Sequence, residues 1–113
     1  MKEVWFFFSY GGYPVWYRVA DNEPRDNGLP PEFENDQDLI EPMKELDKIY
    51  RSLFINNSYE FTYVGFQDEK SWSEFITKVN KFIELLRERV EPEYKLILDQ
   101  WTRNNLRQNW KED

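Results

Sequence analysis

Hydrophobic and polar residues follow the pattern of two β-strands over the first twenty positions of the chain. Residues 3–10 and 13–20 are rich in aromatic and β-branched side chains, which favour strands. Between them, Gly11 and Gly12 can adopt the positive φ angles of a two-residue hairpin turn. The pattern therefore predicts an N-terminal antiparallel β-hairpin.

The predicted turn gives this hairpin two different faces. One face carries apolar pairs that suit a core: Tyr10 with Tyr13, Phe8 with Val15, Phe6 with Tyr17, and Val4 with Val19. The opposite face carries the large aromatic residues Trp5, Phe7 and Trp16. We expect these three aromatic side chains to be covered by a helix, by the bases of a single-stranded nucleic acid, or by a protein partner.

Apolar residues recur at three- and four-residue intervals in two later segments, which predicts two helices. The first segment runs from Leu39 to Leu53. The second continues to Val90 and begins with Ser71 and Glu74, which have the spacing of a capping box. These helices each present one apolar stripe to a core.

Two shorter segments complete the expected fold. Tyr59, Phe61 and Tyr63 alternate with less apolar residues and predict a third strand. Beyond Pro92, apolar positions recur at helical spacing and predict a third helix. The order β-β-α-β-α-α predicts an α+β fold. The hairpin and the third strand would form a small sheet against about three helices, in one domain of residues 1–113.

Negative charge is concentrated between the hairpin and the first helix, in residues 20–38, which we call the acidic segment. Its Pro, Gly, Asn and Asp residues predict a long ordered loop. It carries a net charge of -6, because Arg25 alone opposes seven carboxylates, and the whole chain carries -7. The carboxylates are Asp21, Glu23, Asp26, Glu32, Glu34, Asp36 and Asp38. Such a segment is either a solvated surface or a binding surface for a basic partner.

The composition excludes several kinds of covalent, metal and catalytic site. The chain has no cysteine and no histidine, which excludes disulfides, zinc-thiolate or imidazole sites, and Cys/His or Ser/His catalytic arrangements. It has no Gly-rich phosphate loop and no nucleophile elbow, so neither an enzyme nor a cofactor is expected. Asp36 and Asp38 lack the spacing of a calcium loop, so no metal site is expected either.

The sequence also indicates a compartment. The apolar start has no small-residue cleavage signature, and no apolar stretch approaches the roughly 20 residues that span a bilayer. We therefore expect a cytoplasmic protein. Its net charge of -7 repels nucleic-acid backbones and anionic membranes, so neither is an expected partner.

A small basic stripe lies near the end of the chain. Arg103, Arg107 and Lys111 are four residues apart, as on one helix face. They would either contact an acidic surface or stabilise the C-terminal end of a helix.

The aromatic hairpin, the acidic segment and the Trp-rich helices together resemble the immunity proteins of bacterial polymorphic toxin systems. The comparison includes the segment WFFFSYGG at residues 5–12 and extends over the whole chain in general appearance, without a signature motif. The closest comparison is with the immunity proteins of contact-dependent growth inhibition. The resemblance implies a cytoplasmic protein that binds one cognate toxin domain, often a nuclease, and covers its active site or substrate cleft.

Residues and resemblance lead to one functional hypothesis with two alternatives. The hypothesis is a stoichiometric inhibitor whose acidic segment contacts a basic toxin nuclease, with Trp5, Phe7 and Trp16 as secondary contacts. The first alternative is a single-stranded nucleic-acid-binding module that stacks bases on those three aromatic residues. The second is an accessory subunit of a larger complex.

Overall fold

A computed structural model describes residues 2–109, including the side chains of residues 2–104. The strands are β1 (Glu3–Phe6), β2 (Val15–Arg18), β3 (Asp26–Asn27), β4 (Phe54–Asn56), β5 (Phe61–Tyr63) and β6 (Lys95–Leu98). The helices are α1 (Gln37–Arg51), α2 (Glu69–Val90) and α3 (Gln100–Asn109), and a short 3-10 helix spans Pro31–Phe33. The expected α+β class is confirmed, whereas the predicted order of elements is wrong.

The main sheet has the strand order β3-β2-β1-β6 and is mixed. β1 is antiparallel to β2 and parallel to β6, which follows the long helix α2. The sequence predicts a helix where β6 lies, because the apolar positions of so short a run fit both periods. Pairing decides the outcome: Leu96 and Leu98 lie beside Val4 and Phe6 in the register of the sheet.

The N-terminal hairpin is confirmed, but its register differs by two residues from the predicted one. Phe6 pairs with Val15 and not with Tyr17. The turn centres on Tyr10 and Gly11, because the N–H of Gly12 donates to the carbonyl of Ser9 at 3.3 Å. A shift of two residues keeps paired side chains on their predicted faces. Phe8, Tyr13 and Tyr17 pack against the buried core that includes Val4, Phe6 and Val15, as predicted, whereas Val19 is 42% exposed and Tyr10 lies outside the core.

The segment predicted as the third strand of this sheet forms a separate two-stranded sheet, β4-β5, which we call the second hairpin. The Asn57 side chain accepts hydrogen bonds from the N–H groups of Tyr59 and Glu60 at 2.7 and 3.1 Å. This local turn pairs β5 with the residues just before it. The predicted pairing with the N-terminal hairpin is therefore wrong.

Both main helices begin with an aspartate cap. The side chain of Asp36 accepts from the N–H of Asp38 at the start of α1. Asp68 accepts from the N–H of Ser71 at 2.8 Å at the start of α2. Ser71 and Glu74 lie within α2 and are not its capping box. An aspartate caps a helix as well as a serine does, so α2 begins earlier than predicted.

The hydrophobic core lies between the helices and one face of the main sheet. Its sheet side includes Val4, Phe6, Val15 and Leu96, all buried. Its largest helical contribution is the stripe of α2, confirmed as buried at Phe75, Ile76, Val79, Phe82, Ile83, Leu86 and Val90. Within residues 2–109, no helix has the length and apolar character needed to cross a membrane.

Candidate functional site

Glu32, in the middle of the acidic segment, is bound to the body of the protein. Its carboxylate accepts a 2.7 Å hydrogen bond from the hydroxyl of Tyr94, whose ring is buried. The ammonium group of Lys2 lies 3.7 Å from the same carboxylate. The hydrogen bond from Tyr94 is the main reason that the pKa of Glu32 lies below its ordinary value.

The end of the acidic segment is held by Arg89 of α2. The guanidinium group of Arg89 donates to the carboxylates of both Asp36 and Asp38, the latter at 3.0 Å. These two hydrogen bonds raise the pKa of Arg89. Because Asp36 also caps α1, its side chain connects the acidic segment to both long helices.

The beginning of the segment is fixed to the edge of the sheet. The amide nitrogen of Asn27 donates to the carbonyls of Tyr13 and Val15 at 2.8 and 3.1 Å. Its amide oxygen accepts from the N–H of Tyr13 at 2.9 Å. Leu29 and Pro30 are buried immediately after it. The acidic segment is therefore attached to the body of the protein at three places. It is not a continuous loop, because it contains β3, the 3-10 helix and the first two residues of α1.

The seven predicted carboxylates fall into two groups. Glu32, Asp36 and Asp38 form the attachments described above, whereas Asp21, Glu23, Asp26 and Glu34 are exposed. Across the described part of the chain, Glu23, Asp26 and Glu34 form no side-chain hydrogen bond or ion pair. Asp26 and Glu34 both lie near Tyr17, whose pKa is raised by burial and by their negative charge. The exposed group is thus a fixed acidic surface.

The predicted aromatic residues on the second face of the sheet lie together, outside the hydrophobic core. Phe7 stacks on Trp16 with parallel rings 5.6 Å apart. Arg18 and Arg25 lie over the ring of Trp5, at 5.2 and 5.0 Å from its centre. Arg25 also lies over the ring of Phe7, at 5.5 Å from its centre, so arginine side chains cover part of this aromatic face. A base that stacks on Trp5 would compete with them.

The second hairpin exposes the aromatic residues that the sequence pattern places in the third strand of the predicted sheet. Tyr59, Phe61 and Tyr63 are 94%, 55% and 57% exposed. The signal that could have identified this hairpin is the Asn56-Asn57-Ser58 turn between two apolar runs. Exposed aromatic residues on one small element are typical of binding surfaces.

A cavity of about 340 Å³, which we call the aromatic pocket, lies between this hairpin and the rest of the protein. Its aromatic lining consists of Phe8, Tyr50, Tyr63, Phe66, Phe75 and Trp101, and its other lining residues are Leu53 and Asp99. A neighbouring open groove of about 590 Å³ shares Leu53, Phe66 and Phe75 with it. The groove has a mixed lining that includes Glu74 and Lys78. None of the residues that line either cavity is among the site residues predicted from the sequence.

The structure also bears on metal binding and on the basic stripe. Among the residues the structure describes, no group of three or more acidic side chains is arranged to hold a metal ion. Arg103 of the basic stripe is exposed on α3, whereas the side chain of Arg107 and all of Lys111 lie outside the described part.

No family model matches the chain, and no curated protein is similar to it in sequence. The arrangement supplies fixed carboxylates and exposed aromatic rings, which suit the binding of a positively charged partner.

Proposed function

We propose that this protein is an immunity protein that binds and inhibits a basic bacterial toxin domain, with the acidic segment as its main contact surface. The observation that carries the proposal is the combination of attachment and exposure in this segment. Glu32, Asp36 and Asp38 hold the segment in place, while Glu23, Asp26 and Glu34 face solvent.

Fixed charges favour binding over mere solubility as the role of this segment. Solubility requires only that charges be exposed, and a flexible loop would serve. Binding benefits from charges that are already ordered, because less conformational entropy is lost when the complex forms. An ordered acidic surface also accelerates encounter with a basic partner, an effect that weakens with salt.

A nuclease fits this surface because its cleft is positively charged in order to bind a phosphate backbone. A carboxylate surface would occupy such a cleft in place of the nucleic acid. The cytoplasm is the proposed compartment, since a toxin nuclease acts on nucleic acid inside the cell and must be neutralised there.

The test measures affinity for the product of the neighbouring open reading frame, at low and high salt, together with the protection of cells that co-express both proteins. A triple variant, Glu23→Gln, Asp26→Asn and Glu34→Gln, removes exposed charges without changing the attachments. We expect it to weaken binding at least tenfold at low salt and to reduce the salt dependence, as the loss of steering and contact charges requires.

The matched control removes three exposed carboxylates from α2 by Glu74→Gln, Glu84→Gln and Glu88→Gln. It has the same net charge as the triple variant, so it separates the location of charge from its total. Retained affinity in the control and lost affinity in the triple variant support the proposal. Equal affinities in the two variants, or a neighbouring product that is not toxic, would contradict it. Recovery in a larger complex without any protection would favour an accessory subunit.

A further inference from the structure

The aromatic pocket is built from rings in both stacked and perpendicular contacts. Phe8 stacks on Tyr50 with ring centres 4.9 Å apart, whereas Trp101 is nearly perpendicular to Phe8, at 86° and 6.0 Å. Tyr63 of the second hairpin and Phe66 complete the aromatic walls. The volume of about 340 Å³ is at the lower end of the range of roughly 300–1,000 Å³ that is typical of ligand pockets.

The polar groups of the pocket are suited to a cation. Asp99 is its single charged lining residue in the described part of the chain, and no lysine or arginine lines it. One carboxylate oxygen of Asp99 accepts from the N–H of Thr102 at 3.1 Å, and the other accepts no hydrogen bond from the described side chains. Burial and the neighbouring Tyr63 raise the pKa of Tyr50, so the phenol of Tyr50 stays neutral. Aromatic faces and a carboxylate together attract positive charge.

We propose that the aromatic pocket binds the guanidinium group of an arginine side chain from a protein partner. A guanidinium is planar, stacks on aromatic rings and donates hydrogen bonds to a carboxylate. Arg25 over the ring of Trp5, with its guanidinium carbon 5.0 Å from the ring centre, is a cation–π contact of this kind within the same molecule. The inference rests on the proposed function for the origin of the arginine, because a basic toxin domain would supply it.

The test uses N-acetyl-arginine amide as a probe and follows the indole N–H signals of the protein by NMR. The probe is expected to shift the signal of Trp101 in a saturable manner. Trp5 does not line the pocket, so its signal is expected to change less. The corresponding citrulline amide is the control ligand, because citrulline has nearly the same shape and no charge. Tetramethylammonium tests whether any organic cation suffices.

Two variants alter the pocket while preserving the fold. Asp99→Asn removes the charge and retains a good cap for α3, since asparagine and aspartate are equally preferred at that position. Tyr63→Leu removes an aromatic wall that is 57% exposed. Each is expected to weaken probe binding about fivefold to tenfold. Tyr59→Leu is the matched control, because Tyr59 lies on the same hairpin but does not line the pocket.

The outcomes separate this inference from the proposed function. Binding of the arginine probe that is lost in Asp99→Asn and retained in Tyr59→Leu supports the pocket, whether or not the toxin binds. Equal binding of the citrulline probe, tighter binding of tetramethylammonium, or no saturable shift at Trp101 overturns it. If the toxin still binds through the acidic segment in that last case, the proposed function stands and only the pocket is rejected.

Discussion

The hydroxyl of Tyr94 donates a hydrogen bond to the carboxylate of Glu32, across a separation of 62 residues. Tyr94 is buried, directly precedes β6 and lies against Phe33 and the ammonium group of Lys2. Its pKa is raised, mainly by burial and then by Glu32. The contact therefore joins the middle of the acidic segment to the start of the last strand in the sheet.

Replacing Tyr94 with phenylalanine should test how much this contact contributes. Tyr94→Phe keeps the buried ring and removes only the hydroxyl donor. Because Glu32 remains partly solvated, we expect the free energy of unfolding at pH 7 to fall by about 1 kcal/mol. Urea denaturation measures this change, and Tyr59→Phe, which removes a hydroxyl from a ring that is 94% exposed, is a suitable comparison. A loss below the error of the measurement would show that the contact contributes nothing.

The same contact predicts a dependence on pH. The pKa of Glu32 in the folded protein lies below its ordinary value of 4.5, so the folded state binds fewer protons than the unfolded state in that range. The corresponding stability is present above pH 4.5 and decreases as the pH falls through the folded pKa. In Tyr94→Phe this part of the acid destabilisation should be smaller. Parallel curves for the two proteins below about pH 5 would contradict the assignment.

Asp36 should contribute both as a helix cap and as a partner of Arg89. Asp36→Asn keeps a capping side chain and removes the charge, whereas Asp36→Ala removes both. We therefore expect Asp36→Ala to lower the free energy of unfolding by about 1–2 kcal/mol and Asp36→Asn to lower it less. Thermal and urea denaturation at low and high salt measure the two effects. If the two variants are equally destabilised, the cap is not the main contribution of Asp36.

Local sequence patterns predicted those parts of the fold that depend on neighbouring residues. The stripe of α2 and most of the core face of the N-terminal hairpin follow from side-chain periodicity, and the structure confirms them, whereas the predicted core position Val19 is exposed. β6 could not be recognised in this way, because its conformation depends on pairing with β1, more than ninety residues away. Tertiary pairing outweighed a weak helical pattern in so short a run.

The candidate site was predictable to a similar extent. The sequence alone places the seven carboxylates in one segment. The division into attached and exposed carboxylates could not be predicted, because it depends on Arg89 and Tyr94, which lie far away in the chain. The aromatic pocket was also missed, since it requires Phe8, Tyr50 and Trp101 from three distant parts of the chain.

Two phenylalanines of opposite burial should respond very differently to truncation. Phe82 is 1% exposed and packs against Phe6, with ring centres 5.8 Å apart. Phe82→Ala is expected to lower the free energy of unfolding by about 3–5 kcal/mol, through lost burial and a new cavity. Phe61 is 55% exposed on the second hairpin, and Phe61→Ala should cost about 1 kcal/mol or less. Similar losses in the two variants would mean that the second hairpin is part of the structural core.

Gly11 should be required for its backbone conformation and not for its small size. Its φ angle is +94°, and a Cβ at this position would meet no atom within 4 Å. Where φ is compatible, replacing glycine with alanine stabilises a protein by about 0.4–1 kcal/mol, because the unfolded chain becomes less flexible. Here the positive φ angle should reverse the sign, so that Gly11→Ala lowers the free energy of unfolding by about 1–2 kcal/mol. Gly11→Asn, which tolerates positive φ angles better, should be less destabilised, and urea denaturation of both variants measures the difference. A stabilised Gly11→Ala would show that the turn does not centre on Tyr10 and Gly11.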